Sequence, residues 1–155
     1  MCGIICVVQK RRPVDEEMCK KALGTLTKRG PDQDGIYIDE NICLAHKRLA
    51  IIDLSENGRM PMFNEDGTVG IVFNGEIYNY KKLKEELGSK YTWKGESDTE
   101  VLLHAYEEWG KDVVKKIEGM FAFAIFDKRC ENVFFARDHF GKKPLYYYQD
   151  DEVFM

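Results

Sequence analysis

Strand-like segments that follow one another in runs, with few helices between them, constrain the fold of this chain more than any other feature. Short stretches rich in β-branched and aromatic residues alternate with turns, which is typical of strands. The predicted strands cover residues 3–8, 35–38, 42–46, 49–53, 68–73, 120–126, 133–137 and 145–148, and a last apolar stretch begins at 153. Grouped strands favour a layered α+β architecture, because alternating βαβ units would place a helix after each strand.

Helices are predicted where apolar residues recur three or four positions apart. In residues 15–28 the side chain of Asp15 has the place of an N-cap, and Gly30 is expected to end the helix. Ser97 and Glu100 have the spacing of a capping box in front of a second apolar stripe. The sequence therefore predicts two longer helices between the groups of strands.

Length and composition indicate one globular domain. The chain has 155 residues, of which 44% are apolar and 12% aromatic, enough for one core and too few for two domains of ordinary size. No apolar run approaches the roughly 18 residues that a membrane span needs, and the apolar stretch at 4–8 is too short for a signal peptide. We therefore expect a cytoplasmic protein that is not inserted in a membrane.

Charge and cysteine usage argue against nucleic-acid binding, binding to an anionic membrane and a zinc site. The net charge is −4, and basic residues are interspersed with acidic ones, which argues against a nucleic-acid partner or an anionic membrane surface. The five cysteines are scattered and odd in number, without a Cys-x-x-Cys pair or Cys/His spacing typical of zinc. We expect reduced thiols and no metal site.

Cys2 is the first candidate for chemistry. A small residue at position 2 favours removal of the initiator methionine, which would give Cys2 a free α-amine beside its thiol. The amine titrates at about 7.7 to 8.0 and a free thiol near about 8.5, so the amine can act as the base of the nucleophile without a histidine. The alternative is that a cysteine at this position is an accident of the start site.

A second candidate follows the apolar stretch at 71–73. Asn74 and Gly75 are either a hairpin turn or an oxyanion hole, in which the Asn amide and the Gly N–H point at one spot. Glu76, Asp98 and Arg48 supply two anions and one cation, the set that holds a zwitterionic amino acid. Each of the three also has a structural explanation, as a surface charge or as an acidic residue in the first turn of a helix.

A series of motifs along the whole chain resembles one family. The motifs, in order, are MCGI (1–4), RGPD (29–32), AHKRL (45–49), NGEIYN (74–79), SDTE (97–100), GMFAFA (119–124) and RDHFG (137–141). Together they resemble the glutaminase domain of glutamine-hydrolysing asparagine synthetases, a class II glutamine amidotransferase domain. The NGEIYN motif resembles asparagine synthetases more than the amidotransferases of sugar-phosphate and purine synthesis.

The resemblance implies a fold and a reaction. The fold is that of the N-terminal-nucleophile hydrolases, an αββα sandwich of two antiparallel sheets between helices. The reaction is hydrolysis of glutamine to glutamate and ammonia through a γ-glutamyl thioester on Cys2. Carried over by position, the catalytic residues are Cys2 with Asn74 and Gly75 as the oxyanion hole, and the substrate-binding residues are Arg48 for the carboxylate, Glu76 and Asp98 for the ammonium, and the backbone of Leu49, Ile51 and Ile52.

The resemblance also bounds what these residues do alone. The family's synthetase domain adenylates aspartate with a Gly-Gly pyrophosphate loop, and the sequence contains neither a Gly-Gly pair nor a P-loop. We therefore expect residues 1–155 to be a glutaminase domain from which the C-terminal synthetase domain is absent. No cofactor is expected in this domain, since ATP and Mg belong to the synthetase, and the expected partners are glutamine and a synthetase domain or subunit that accepts ammonia.

Two other functions stay open at this point. The first is a non-catalytic module that binds glutamine or a partner, which retention of Met1 together with undetectable glutaminase activity would favour. The second is supply of ammonia to a different acceptor, since the glutamine site does not specify where the ammonia goes. Copurification with another synthetase would favour the second function.

Overall fold

Two antiparallel four-stranded sheets form the centre of the protein in a computed structural model, which describes residues 1–51, 53 and 55–155. The first sheet has the order β2-β3-β1-β8 and the second the order β4-β5-β6-β7. The strands are β1 (Gly3–Gln9), β2 (Gln33–Asp39), β3 (Ile42–Arg48), β4 (Met62–Phe63), β5 (Val69–Ile77), β6 (Gly119–Asp127), β7 (Asn132–Arg137) and β8 (Val153–Phe154). The helices are α1 (Glu16–Thr25), α2 (Tyr80–Leu87) and α3 (Asp98–Trp109), with short 3₁₀ turns at Glu56–Gly58, Gly88–Lys90 and Gly110–Lys115.

Three apolar clusters divide the structure into four layers. Helix α1 packs on the outer face of the first sheet. The inner faces of the two sheets meet through Cys6 and Leu44 on one side and Val72 and Ala124 on the other. Helices α2 and α3 cover the outer face of the second sheet and enclose the largest cluster. The predicted α+β fold with an αββα arrangement is confirmed.

Side chains alternate between the two faces of each strand, so the residues that face the other sheet can be followed along the strands to one end of the sandwich. Val72 lies between the sheets, so Asn74 and Glu76 project to the same side of β5. In the first sheet, Leu44 lies between the sheets and Arg48 shares its face of β3. The beginning of β1 pairs with the end of β3 and so reaches the same place. Apolar packing thus gives way to polar residues at one end.

Helix capping follows the predicted pattern at the amino ends. The carboxylate of Asp15 accepts a backbone N–H in the first turn of α1 at 3.0 Å, and the hydroxyl of Ser97 accepts one at the start of α3 at 3.1 Å. Glu100 departs from a closed capping box, because its two oxygens accept the N–H groups of Lys94 and Gly95 instead. Glu100 therefore fixes the loop that leads into α3.

The carboxyl end of α1 differs from the prediction. The helix ends at Thr25, before Gly30. The hydroxyls of Thr25 and Thr27 donate to the carbonyls of Ala22 and Gly24, which satisfies acceptors that a helix leaves open at its end. The backbone N–H of Leu26 also donates to the carbonyls of Leu23 and Gly24, so the last turn is closed ahead of the glycine.

The strand predicted at 49–53 is wrong over the residues described there. The N–H of Leu49 donates to the thiol sulfur of Cys2 over 3.4 Å, and the N–H of Ala50 donates to a carboxylate oxygen of Asp32 at 2.8 Å. In a strand, the backbone N–H groups donate to carbonyls of a neighbouring strand. Here those donors go to side chains, so the chain leaves the sheet.

The strand predicted at 145–148 is also wrong. Tyr146 and Tyr147 are 89% and 75% exposed, and in this stretch it is Tyr148 that exchanges backbone hydrogen bonds with Met155. This pair of hydrogen bonds does not continue to the other residues of the stretch, so no continuous strand ladder forms there. The last apolar stretch does form a strand, the two-residue β8.

No helix among the described residues combines the length and the apolar character that crossing a membrane requires.

The core of the second sheet provides a test of this packing. Phe123 is fully buried in the centre of β6, so Phe123→Ala is expected to lower the free energy of unfolding by about 3–5 kcal/mol. Phe140→Ala is the matched control, because Phe140 is 91% exposed, and it should change stability by less than about 0.5 kcal/mol. Urea denaturation measures both. Equal losses in the two variants would contradict the packing described.

Candidate active site

A cleft opens where the polar ends of the two sheets meet the amino end of α3. It is bounded by the start of β1, the end of β3 and the segment after it, the centre of β5 and the segment after β7. The lining residues are Met1, Cys2, Arg48, Leu49, Ile51, Asp53, Gly58, Met60, Phe73, Asn74, Gly75, Glu76, Ser97, Asp98, Thr99, Met120 and Lys143. All the predicted site residues that the structure describes therefore lie in one cleft.

Cys2 is held at the edge of this cleft by backbone and side-chain contacts. Its sulfur accepts the N–H of Leu49 at 3.4 Å and lies 3.6 Å from the Leu49 carbonyl oxygen. Its own carbonyl accepts Nε of Arg29 at 3.0 Å. The side chain is partly buried and forms no disulfide. The backbone of Leu49 therefore holds the sulfur in place at the edge of the cleft, with one donor and one acceptor directed at it.

The guanidinium of Arg48 is buried and held in place by oxygen acceptors. One terminal nitrogen donates to Oε1 of Gln33 at 2.6 Å and to the Ser55 carbonyl at 2.9 Å, and the other donates to the Asp53 carbonyl. None of these acceptors is charged, so the positive charge of Arg48 is not neutralised by them. Gly58 permits this arrangement, since a Cβ there would lie 2.1 Å from a guanidinium nitrogen.

Asn74 and Gly75 lie in the middle of β5, so the alternative of a hairpin turn is wrong. They pair with Ala122 and Phe121 of β6. Asn74 is 4% exposed, and its amide makes no hydrogen bond to any residue that the structure describes. A Cβ on Gly75 would lie 2.3 Å from the carbonyl oxygen of Met120, so this position requires glycine for close approach of the two strands.

Two carboxylates face the cleft from different elements. Asp98, at the start of α3, is 5% exposed and accepts the N–H of Ile77 at 2.9 Å. Burial, with a smaller contribution from the nearby charge of Glu76, raises the pKa of Asp98 to about 6 against the lowering effect of the backbone hydrogen bonds. Two carboxylates close together in a partly buried cleft attract a cation.

His46 lies beneath the cleft. It is fully buried, and its Nε2 lies 3.2 Å from the carbonyl oxygen of Phe73. Because a carbonyl only accepts, Nε2 carries the proton in this contact. Burial lowers the pKa of His46 to about 4. The ring is therefore neutral near pH 7 and links the two sheets next to Asn74.

The sequence predictions missed part of the cleft. Met120, Thr99 and Lys143 line it as well. Met120 and Thr99 belong to motifs that were recognised, but neither carries charge or a nucleophile that would single it out. Lys143 follows the RDHFG motif by two positions, and nothing in its sequence context marks it as buried. The predicted residue Ile52 lies outside the described residues.

A separate group of side chains has the spacing to hold a metal ion. Oxygen and nitrogen atoms of Glu65, His104 and Glu107 lie within 4.8 Å of one another. Two contacts already occupy Glu107, which accepts Nδ2 of Asn64 at 2.7 Å and lies 2.6 Å from Nδ1 of His104. None of the three residues lines the cleft. The group is separate from the candidate active site.

Comparison with known proteins gives the family. The profile of the glutamine amidotransferase domain matches residues 1–155. Asparagine synthetase [glutamine-hydrolyzing] 1 of Bacillus subtilis is 46% identical over 152 residues, which are 95% of this chain and 24% of that protein. Asparagine synthetase B of Escherichia coli is 40% identical over 154 residues, 97% of this chain and 27% of that protein. The chain thus spans about a quarter of the length of these relatives.

A solved structure shares the fold. The glutamine phosphoribosylpyrophosphate amidotransferase of Bacillus subtilis, solved in complex with ADP and GMP, superposes with a TM-score of 0.81 at 18% identity, over 99% of this chain and 41% of that one. This likeness supports the N-terminal-nucleophile fold predicted from the motifs. Together with the match over its whole length, it leads to one conclusion: the chain belongs to the glutamine amidotransferase domain family and is similar to the glutamine-hydrolysing asparagine synthetases.

Proposed function

We propose that this chain hydrolyses glutamine to glutamate and ammonia through a thioester on Cys2, as the ammonia-supplying part of an asparagine synthetase-type amidotransferase. The observation that carries the proposal is the placement of the Cys2 sulfur, which faces the cleft next to the Leu49 N–H. Asn74 and Gly75 line the same cleft. A nucleophile and two candidate oxyanion donors in one site are what acyl transfer requires.

The first half of the reaction follows from these groups. Once Met1 is removed, the α-amine of Cys2 takes the thiol proton, and the thiolate attacks the γ-carbonyl carbon of glutamine. The oxyanion that forms is stabilised by the amide of Asn74 and the N–H of Gly75. The protonated α-amine gives its proton to the leaving nitrogen. Ammonia departs, and a γ-glutamyl thioester remains on Cys2.

The second half regenerates the enzyme. The free α-amine takes a proton from water, whose oxygen attacks the thioester carbon. The same two donors stabilise the second oxyanion, and the C–S bond breaks to release glutamate. The thiolate recovers its proton from the α-amine. No redox step and no metal is needed for either half.

Charge complementarity supports glutamine as the substrate. In the proposed binding mode the α-carboxylate pairs with Arg48, whose oxygen partners are uncharged. The α-ammonium pairs with Glu76 and Asp98. The backbone of Leu49 and of the segment after it completes the pocket. This orientation brings the γ-amide towards Cys2.

The acceptor of the ammonia is part of the proposal as well. Because the chain spans about a quarter of its relatives' length, we infer that residues 1–155 act with a synthetase domain or subunit that binds ATP and Mg. The chain itself requires no cofactor in this scheme. The five free cysteines suit a reducing compartment such as the cytoplasm.

One observation favours a second candidate function for the unprocessed chain. Met1 lies in the cleft, and its Sδ contacts Nζ of Lys143 at 2.9 Å. With Met1 in place, the nitrogen of Cys2 is an amide and cannot serve as the base. Such a chain would act as a glutamine-binding module without turnover.

Replacement of the nucleophile tests the reaction. Cys2→Ala in protein that has lost Met1 should lower ammonia release from glutamine by about a thousandfold or more, because the thioester cannot form. Cys130→Ala is the control, since Cys130 is an exposed cysteine outside the cleft. Coupled glutamate and ammonia assays measure the rates, and intact mass reports the amino terminus. Ammonia release by Cys2→Ala at the wild-type rate would refute the proposal.

The pKa of Asp98 predicts how glutamine binding depends on pH. Only the ionised carboxylate attracts an ammonium, so the Kd of the Cys2→Ala protein should rise as the pH falls through about 6, approaching tenfold per unit below it. The inactive protein is used because it separates binding from the titration of the catalytic base. Calorimetry from pH 7.5 to about 5 measures the Kd.

Asp98→Asn supplies the matched comparison in the same background. It should bind glutamine more weakly at pH 7 and lack the rise in Kd near pH 6, while Asp112→Asn, at an exposed carboxylate, should behave like the parent. The raised pKa of Asp98 also affects folding, because the protonated carboxyl is more favourable than the carboxylate in the folded protein. The stability that the protonated carboxyl contributes is present below about pH 4 and is lost as the pH rises through about 6. A Kd independent of pH in the parent would contradict the assignment of Asp98.

A further inference from the structure

Lys143 is a buried cation in the cleft that the proposed reaction leaves without a role. The residue is 6% exposed and lines the cleft together with Cys2. It forms no ion pair with a carboxylate of the described residues. Nζ contacts the sulfur of Met1 at 2.9 Å, and a thioether is a weak acceptor. A buried ammonium without an anionic partner is costly, so the position calls for a physical explanation.

The backbone around Lys143 is fixed. Asp138 is buried, and its two carboxylate oxygens accept four backbone N–H groups, those of Phe121, Phe140, Lys142 and Lys143. The carbonyl of Lys143 accepts Nε of Arg137 at 3.0 Å. Asp138 thereby links the segment that follows β7 to Phe121 of β6. Phe121 is the residue that pairs with Gly75 of β5. The side chain of Lys143 is thus directed into the cleft from a rigid support, whereas Lys142 is exposed.

Removal of Met1 would change the surroundings of this ammonium. Lys143 contacts the side chain of Met1, Met1 is bonded to the Cys2 nitrogen, and Cys2 and Lys143 line the same cleft. The ammonium of Lys143 and the new amino terminus therefore share that cleft. Loss of Met1 takes away the thioether partner and leaves a charged α-amine and a thiol in its place. Lys143 then shares the cleft with two titratable groups, the α-ammonium and the thiol, each of which carries a dissociable proton.

The other charges of the cleft face the nucleophile from different elements. Arg29, after α1, donates to the carbonyl of the nucleophilic cysteine, and Arg48, at the end of β3, donates to uncharged oxygens. The anions are Asp53 after β3, Glu76 on β5 and Asp98 on α3. The carboxylate of Asp53 accepts the N–H groups of Ser55 and Glu96 and forms no ion pair with Lys143. In the proposed complex, Glu76 and Asp98 face the substrate ammonium, so they do not neutralise Lys143.

We propose that the buried ammonium of Lys143 is a positioning group for the nucleophile. Its positive charge promotes loss of the first proton from the pair formed by the thiol and the α-ammonium of Cys2. A fixed positive charge disfavours the doubly protonated pair, in which the amine is charged, and favours states with a neutral amine or a thiolate. The covalent steps are unchanged. This inference rests on the proposed function in assuming that Cys2 is the amino-terminal residue of the active protein.

Alkylation of Cys2 measures this effect without requiring turnover. Protein that has lost Met1, after methionine aminopeptidase treatment where needed, is reacted with iodoacetamide between pH 5.5 and 9.5, and peptide masses give the rate at Cys2. All proteins carry Cys130→Ser, since Cys130 is exposed whereas Cys6, Cys19 and Cys43 are buried. The pH at half-maximal rate reports the macroscopic pKa of thiolate formation.

Three substitutions separate a charge effect from a packing effect. Lys143→Met keeps an unbranched side chain of similar length without charge, and it should shift the midpoint upward by about half a pH unit or more. Lys143→Arg restores the charge and should return the midpoint towards the wild-type value. Lys142→Met makes the same change in net charge at the exposed neighbour and should leave the midpoint in place. Lys143→Gln serves as the neutral variant if Lys143→Met does not fold.

The outcomes are distinct. An unchanged midpoint in the neutral Lys143 variant overturns the inference, and so does an equal shift in Lys142→Met or a failure of Lys143→Arg to restore the midpoint. If the shift occurs but the wild-type protein releases no ammonia from glutamine, the inference holds and the proposed function fails. If ammonia is released through Cys2 and no midpoint shifts, the inference alone fails.

Discussion

Packing of the inner faces of two twisted sheets is the interaction on which the rest of this structure depends. Cys6 and Leu44 from the first sheet meet Val72 and Ala124 from the second, and side-chain alternation along the strands then fixes which residues follow on the same face. Two positions beyond Val72, that face presents Asn74. The active-site cleft is therefore the end of the inter-sheet core, where the same strands continue with polar residues.

Buried polar groups hold this end of the sandwich in register. The neutral ring of His46 bridges β3 and β5 through the carbonyl of Phe73, directly before Asn74 in the chain. The absence of a side chain at Gly75 lets β6 approach closely, with the Met120 carbonyl where a Cβ would lie. Donors that stabilise a developing oxyanion must be fixed before the reaction begins, and these contacts hold Asn74 and Gly75, the donors proposed above, in place.

The negative and positive charges of the cleft come from different elements of the fold. Asp98 and Glu76 lie towards α3, whereas Arg48 and Lys143 bring positive charge from the end of β3 and the segment after β7. In the proposed complex a zwitterionic glutamine pairs with Asp98, Glu76 and Arg48, whereas Lys143 has no anionic partner among the described residues. The amino terminus lies among these charges, so processing of Met1 changes the composition and the electrostatics of the site together.

The sequence by itself determined the fold, because strand and helix periodicity and the ordered motifs are local properties of the chain. The site residues predicted from those motifs, as far as the structure describes them, line one cleft. The sequence could not determine which acceptors are bound by backbone N–H groups that lie outside strands and helices. Leu49 and Ala50 continue an apolar pattern typical of a strand, yet their N–H groups bind Cys2 and Asp32, which are distant in sequence. The burial of Lys143 was likewise decided only by tertiary structure, since it depends on a segment tied to another strand.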